Sequence, residues 1–206
     1  MIQLAIGSFL LSLVHALIPN HWIPLVLIGK AEHWPKQQLL FVTALAGLAH
    51  AFSTILLGVL IGQLGLQLAN EYSIITTVVA PLLLVFMGLV YFGMDFHQHR
   101  HTHLPDKRKL RGKSTMAVVA MLAAAMFFSP CLEIEAYYFT AGTFGWQGIL
   151  LISVIYLLVS ISGMLLLVAL GYKGLERFNL QILQRHEKKI TGSFLILLGF
   201  IAYYTH

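Results

Sequence analysis

Six apolar stretches of membrane-crossing length run through the 206-residue chain, and they constrain its fold more than any other feature. They cover residues 2–28, 38–62, 74–94, 115–140, 146–171 and 189–204. About 20 helical residues cross a hydrocarbon core, so the reading is an all-α polytopic membrane protein with one transmembrane domain over 1–206. Composition agrees. Only 10% of residues are charged and 58% are apolar, against roughly 25% charged in a soluble domain. A soluble globule and intrinsic disorder are both excluded. Cys131 is the one cysteine, so no intramolecular disulfide and no CxxC pair can form.

The basic residues give the orientation. Lys30 and Lys36 follow the first stretch. Arg100, Lys107, Arg108, Lys109, Arg111 and Lys113 follow the third. Lys173, Arg177, Arg185, Lys188 and Lys189 follow the fifth, which completes the thirteen. Loops one, three and five are therefore expected in the cytoplasm and both termini outside. Five or seven crossings would split these clusters between two sides. No Lys or Arg precedes the first stretch and no small-residue cleavage site follows it, so it is expected to be a permanent span.

The halves resemble each other at an offset of roughly 110 residues, weak as any single match between apolar helices is. STILLGVLIG from Ser53 to Gly62 faces SGMLLLVALG from Ser162 to Gly171. LVFMGLVYF from Leu84 to Phe92 faces LILLGFIAY from Leu195 to Tyr203, with Gly88 over Gly199. Pro19 and Pro130 take equivalent places in spans one and four. The expectation is two three-helix repeats, 1–95 and 115–206, joined by a cytoplasmic loop over 96–114. An odd number of spans inverts the second half. Paired proline-broken helices in inverted halves point to a binding site near the midplane of a transporter.

Polar residues sit where lipid penalises them. Span one carries His15, Pro19, Asn20 and His21; span two carries His50, Ser53 and Thr54; span four carries Pro130, Cys131, Glu133 and Glu135. An ionised carboxylate near the bilayer centre costs roughly 2.5–3.5 kcal/mol on the insertion scale. No Lys or Arg stands in a span core to offset it, which leaves a bound cation, a proton or an imidazole. Three imidazoles, a thiol and two carboxylates are ligands for first-row metals. His50, Ser53 and Thr54 share a helix face, and Cys131 and Glu135 share one if the helix resumes after Pro130. His15 and His21 would diverge on a regular helix and converge only if the chain unwinds at Pro19-Asn20. The expected metal ligands are His15, His21, His50 and Cys131 with Glu133 or Glu135, supported by Asn20, Ser53 and Thr54. His97, His99, His101 and His103 in the central loop could collect metal on the cytoplasmic side.

His15, Ala16, Asn20 and His21 resemble the span signature of the nickel/cobalt permease and exporter families of the LysE-like transporter superfamily. Those families carry Asp where this chain has Asn20. Pro19, His50 with Ser53 and Thr54, and Pro130-Cys131 resemble further elements of the exporter branch, whereas Glu133 and Glu135 do not belong to that pattern. The resemblance implies a carrier for divalent transition metal, here nickel, cobalt, iron, zinc or manganese as substrate. It implies no enzyme activity, organic cofactor or nucleic-acid partner. A bacterial cytoplasmic (inner) membrane is the expected location, and export the expected direction. Gly58, Gly62 and Gly65 could support a homodimer.

Two other classes compete. One is a haem or redox membrane protein with His15 and His50 as ligands. The other is a membrane metalloenzyme, for which HEXXH and GxSxG are both missing. The single cysteine argues against a thiol–disulfide electron carrier.

Overall fold

The computed structural model describes residues 1–94, 114–129, 131–174 and 180–205, with backbone alone at Asn20, Met94, Leu132, 180–188 and Thr205. The regular structure among them is entirely helical: α1 (Ile2–Leu17), α2 (Pro19–Ala31), α3 (Lys36–Glu71), α4 (Ala80–Met94), α5 (Thr115–Phe127), α6 (Leu132–Gly142), α7 (Gly145–Gly174) and α8 (Leu180–Thr205). A π turn over Ile75–Val79 leads into α4. Four apolar stretches are long enough to cross a membrane: Ile2–Ala31, Lys36–Glu71, Ile75–Gly93 and Gly145–Gly174. Thr115–Phe127 and Lys189–Tyr204 are apolar but shorter. The chain is a helical membrane protein by length and composition.

Several expected spans differ from their sequence bounds: span one is two helices that run to Ala31, and the helix that holds span six begins at Leu180. Span two continues to Glu71, and its 36 residues reach about 54 Å at 1.5 Å per residue. Span four is two short helices, α5 of 13 residues and α6 of 11.

The first break occurs at Ile18, one residue before the Pro19-Asn20 pair where unwinding was expected. Ile18 has ψ 121°, because the ring of a following proline disfavours the helical region. Pro19 then opens α2 at a position whose N–H needs no partner. The freed carbonyl of Leu17 accepts the indole N–H of Trp22 at 3.4 Å. Pro24, inside α2, has no N–H to offer the Asn20 carbonyl. At the second break, α5 begins on a Ser114 cap, whose Oγ accepts from Ala117 N at 3.3 Å. It ends at Phe128, and the chain re-enters helix after Cys131, which is extended at φ −99° and ψ 109°. Pro130 lies outside the described residues.

The interior divides into two apolar clusters. One joins α1, α6, α8 and the start of α7 through Leu11, Tyr137, Tyr138, Ile149, Ile152 and Leu195. The other joins α2, α5, the start of α3 and the end of α7 through Trp22, Val26, Leu39, Val118, Leu122 and Val168. Small residues draw the helices together, as packing in lipid requires. A Cβ on Gly58 would strike the Tyr138 ring, and one on Gly65 would strike the Phe139 carbonyl. The Gly58, Gly62 and Gly65 face is thus covered by α6 within the protomer and is not open for a dimer. Gly88 lies against Gly192, and Gly199 against Pro81. Along the opposite side of α3, Phe41, Phe52, Leu56, Leu60 and Leu64 are exposed, an apolar stripe suited to acyl chains.

Candidate metal centre

The two breaks meet against the middle of α3. His15 lies in the last turn of α1 and His21 in the first turn of α2, so one extended residue turns both imidazoles inward; their ring centroids are 4.7 Å apart. Cys131 stands immediately before α6 and His50 lies midway along α3. The Cys131 Sγ is 3.6 Å from His15 Nε2, 3.7 Å from His21 Nε2 and 3.5 Å from His50 Nε2. The Nε2 atoms of His15 and His50 are 3.3 Å apart. Ligand atoms of all four residues lie within 4.8 Å of one another and all four residues are buried. Donors bound tetrahedrally at ~2.0 Å (nitrogen) and ~2.3 Å (sulfur) stand ~3.3 Å apart as N···N pairs and ~3.6 Å as N···S pairs. The three Cys131–His separations and the His15–His50 separation fit those values. The cluster could hold a metal ion.

Groups behind the cluster fix its donor atoms. The His50 Nδ1–H donates to the Met126 carbonyl at 3.2 Å; since a carbonyl only accepts, the Nε2 lone pair of His50 is directed at the centre. His15 Nδ1–H donates to Glu133 Oε1 at 3.3 Å, and Glu133 Oε2 accepts from Tyr91 Oη at 2.6 Å. A carboxylate behind an imidazole is the usual support of a metal-ligating histidine. The Tyr156 hydroxyl lies 3.4 Å from His15 Nε2 and 3.3 Å from His50 Nε2. With a divalent cation bound, Cys131 as thiolate and Glu133 as carboxylate would together balance its charge.

Of the residues singled out in the sequence, His15, His21, His50 and Cys131 converge. Glu133 supports His15 from behind. Glu135 is not among the converging ligands: it is 4% exposed, and neither carboxylate oxygen has a hydrogen-bond partner among the described residues. Ser53 Oγ bonds back to the His50 carbonyl at 2.9 Å. Thr54 is buried, and its hydroxyl has only the Tyr156 hydroxyl beside it, short of full hydrogen-bond geometry. The Asn20 side chain and His97, His99, His101 and His103 lie outside the described residues. Tyr91, Tyr156 and the Met126 carbonyl were not foreseen. Tyrosine hydroxyls inside two apolar runs were visible in sequence, but tyrosine is also common at membrane interfaces.

The chain matches no protein-family model, no curated protein and no solved structure.

Proposed function

We propose that the protein is a membrane carrier for a divalent transition-metal ion, which passes as substrate through the centre formed by His15, His21, His50 and Cys131. The observation that carries this reading is the convergence of four buried ligands at the meeting of two broken helices. Broken helices lining a midplane site are a transporter device. Imidazole and thiolate favour cobalt, nickel, zinc or iron over manganese and other harder ions. The nickel/cobalt exporter-type families of the LysE-like superfamily remain the proposed relatives, and export across a bacterial inner membrane the proposed task, without catalysis.

Six crossings in two inverted repeats belong to the same proposal, with both termini opposite the basic loops. Its support is reciprocity. At an offset of 111 residues, Gly88 corresponds to Gly199 and Pro81 to Gly192. The contacts Gly88 to Gly192 and Gly199 to Pro81 exchange into each other, as in a two-fold, self-complementary interface.

The haem alternative has less support. Axial imidazole nitrogens on one iron stand about 4 Å apart across a porphyrin, at ~2.0 Å per bond. Here the two Nε2 atoms are 3.3 Å apart with a thiol and a hydroxyl beside them, which leaves no slot for a macrocycle.

The chain in proteoliposomes should carry Co(II) down its gradient. The first Co(II) equivalent bound in detergent should give tetrahedral d–d bands with a thiolate charge-transfer band, and Cys131→Ser should remove the latter. Wild-type protein with neither flux nor the thiolate band would falsify the reading.

A further inference from the structure

α3 and α6 run parallel in a fixed register. His50 meets Cys131, Gly58 meets Tyr138, and Gly62 meets Gly142. Four residues beyond the first pair on each helix are Thr54 and Glu135. On α3 the i to i+4 step keeps the helix face and advances about 6 Å. Glu135 stands three residues past the start of α6, three before Tyr138 and seven before Gly142, so the two fall at a similar level along the α3–α6 seam. Both are buried, Thr54 at 0% and Glu135 at 4% exposure. Both Glu135 oxygens have no hydrogen-bond partner among the described residues, and the Thr54 hydroxyl has only the Tyr156 hydroxyl beside it, short of full hydrogen-bond geometry. Burying such groups without partners is costly, and a carboxylate costs most. Glu133, two residues away, has His15 and Tyr91; Glu135 has neither. This level lies one turn from the centre, away from the end of α3 that begins at Lys36.

From this register we infer a second cation station, made of oxygen donors, at Glu135 and Thr54. It rests on the carrier reading and adds the step next to the metal centre on the side away from the basic loops. A carboxylate and a hydroxyl, completed by water, bind a divalent ion more loosely than imidazoles and thiolate. A loose site beside a tight one lets an ion leave in short steps.

Co(II) titration of the full chain in detergent, followed by equilibrium dialysis and absorption, tests the station. His97, His99, His101 and His103 are replaced by alanine in every sample so that the loop takes up no metal, and that background serves as the wild type. Wild-type protein should bind two equivalents, the first with the thiolate band and the second, weaker, without it. Glu135→Gln should bind one equivalent, keep the thiolate band unchanged and lose most Co(II) flux in proteoliposomes. Thr54→Val, close to isosteric, should keep two equivalents with the second bound severalfold more weakly. In Cys131→Ser the weak equivalent should persist and disappear on adding Glu135→Gln. Wild-type protein that stops at one equivalent, as it would if Glu135 held only a proton, overturns the station, as does a Glu135→Gln protein that retains two. Neither outcome touches the thiolate band on which the carrier reading stands.

Discussion

The two helix breaks do similar work on the backbone and different work at the centre. At the first, a single residue, Ile18, leaves helical geometry, and ligands come from both sides of it, His15 before and His21 after. At the second, one donor comes from the break itself, the Cys131 sulfur, while the flanks contribute support: the Met126 carbonyl orients His50 and Glu133 holds His15. At the proposed offset of 111, His15 corresponds to Met126, His21 to Leu132 and Asn20 to Cys131. The proposed repeats would therefore carry an asymmetric set of side chains. One half supplies imidazoles, and the other supplies negative charge and orientation. The breaks are alike in the backbone, and side-chain identity decides what each one contributes.

The sharpest way to break this comparison is to truncate corresponding positions. His15→Ala should abolish metal-dependent flux, whereas Met126→Ala, which keeps the carbonyl, should leave flux within about threefold of wild type, because backbone acceptors survive side-chain truncation. Equal losses in vesicle assays would mean that the breaks are not divided in this way.

A smaller effect is expected behind the ligands. Glu133→Gln should weaken metal binding by about 10–100-fold, the usual loss for a supporting carboxylate, and Tyr91→Phe by less. Competition with a chelator reads both, and a Co(II) spectrum with its thiolate band retained would separate weakened support from a lost ligand. The reverse order of severity would put the carboxylate's main role elsewhere.

The smallest effect concerns the backbone alone. Trp22→Phe removes the donor to the Leu17 carbonyl and should cost about 1 kcal/mol of stability, read as a lowered thermal midpoint in detergent, with flux per folded molecule unchanged. A drop in flux at unchanged stability would assign Trp22 to the site instead.

Much of this was legible in the chain because the bilayer permits so few solutions. Long apolar runs in lipid call for helices, and intramembrane His, Cys and Glu call for partners. The residues that converge were visible for that reason. Their convergence was visible only in part: Pro19 announced a break, but its placement at Ile18 follows from the restriction a proline imposes on its predecessor. What sequence could not give was the division of the two carboxylates. Glu133 and Glu135 are both acidic, adjacent in pattern and equally buried, yet a two-residue step on a helix turns them about 200° apart. Which one met an imidazole depended on how α6 lay against α1 and α3. That packing was decided by glycines such as Gly58 and Gly62, which read in sequence as a face for a second protomer. Tyr91 reached Glu133 from a helix 42 residues away, a distance no local pattern encodes.

The separation of the apolar interior into two clusters has a mechanical consequence. α1 and α6 belong to one cluster, α2 and α5 to the other, and α3 and α7 extend through both. Each cluster thus has its own pair of half-length rods, joined to the opposite pair at Ile18 and at the stretch ending in Cys131. A short rod can swing about such a joint without disturbing the packing of the far cluster, since hinges absorb their angle in a few backbone torsions. α3 and α7 thus act as two long posts shared by both clusters, and each cluster adds two half-length helices of its own. Of the four converging residues, His15, His21 and Cys131 flank these joints while His50 stands on the α3 post, so a change of angle at either joint moves donors relative to His50.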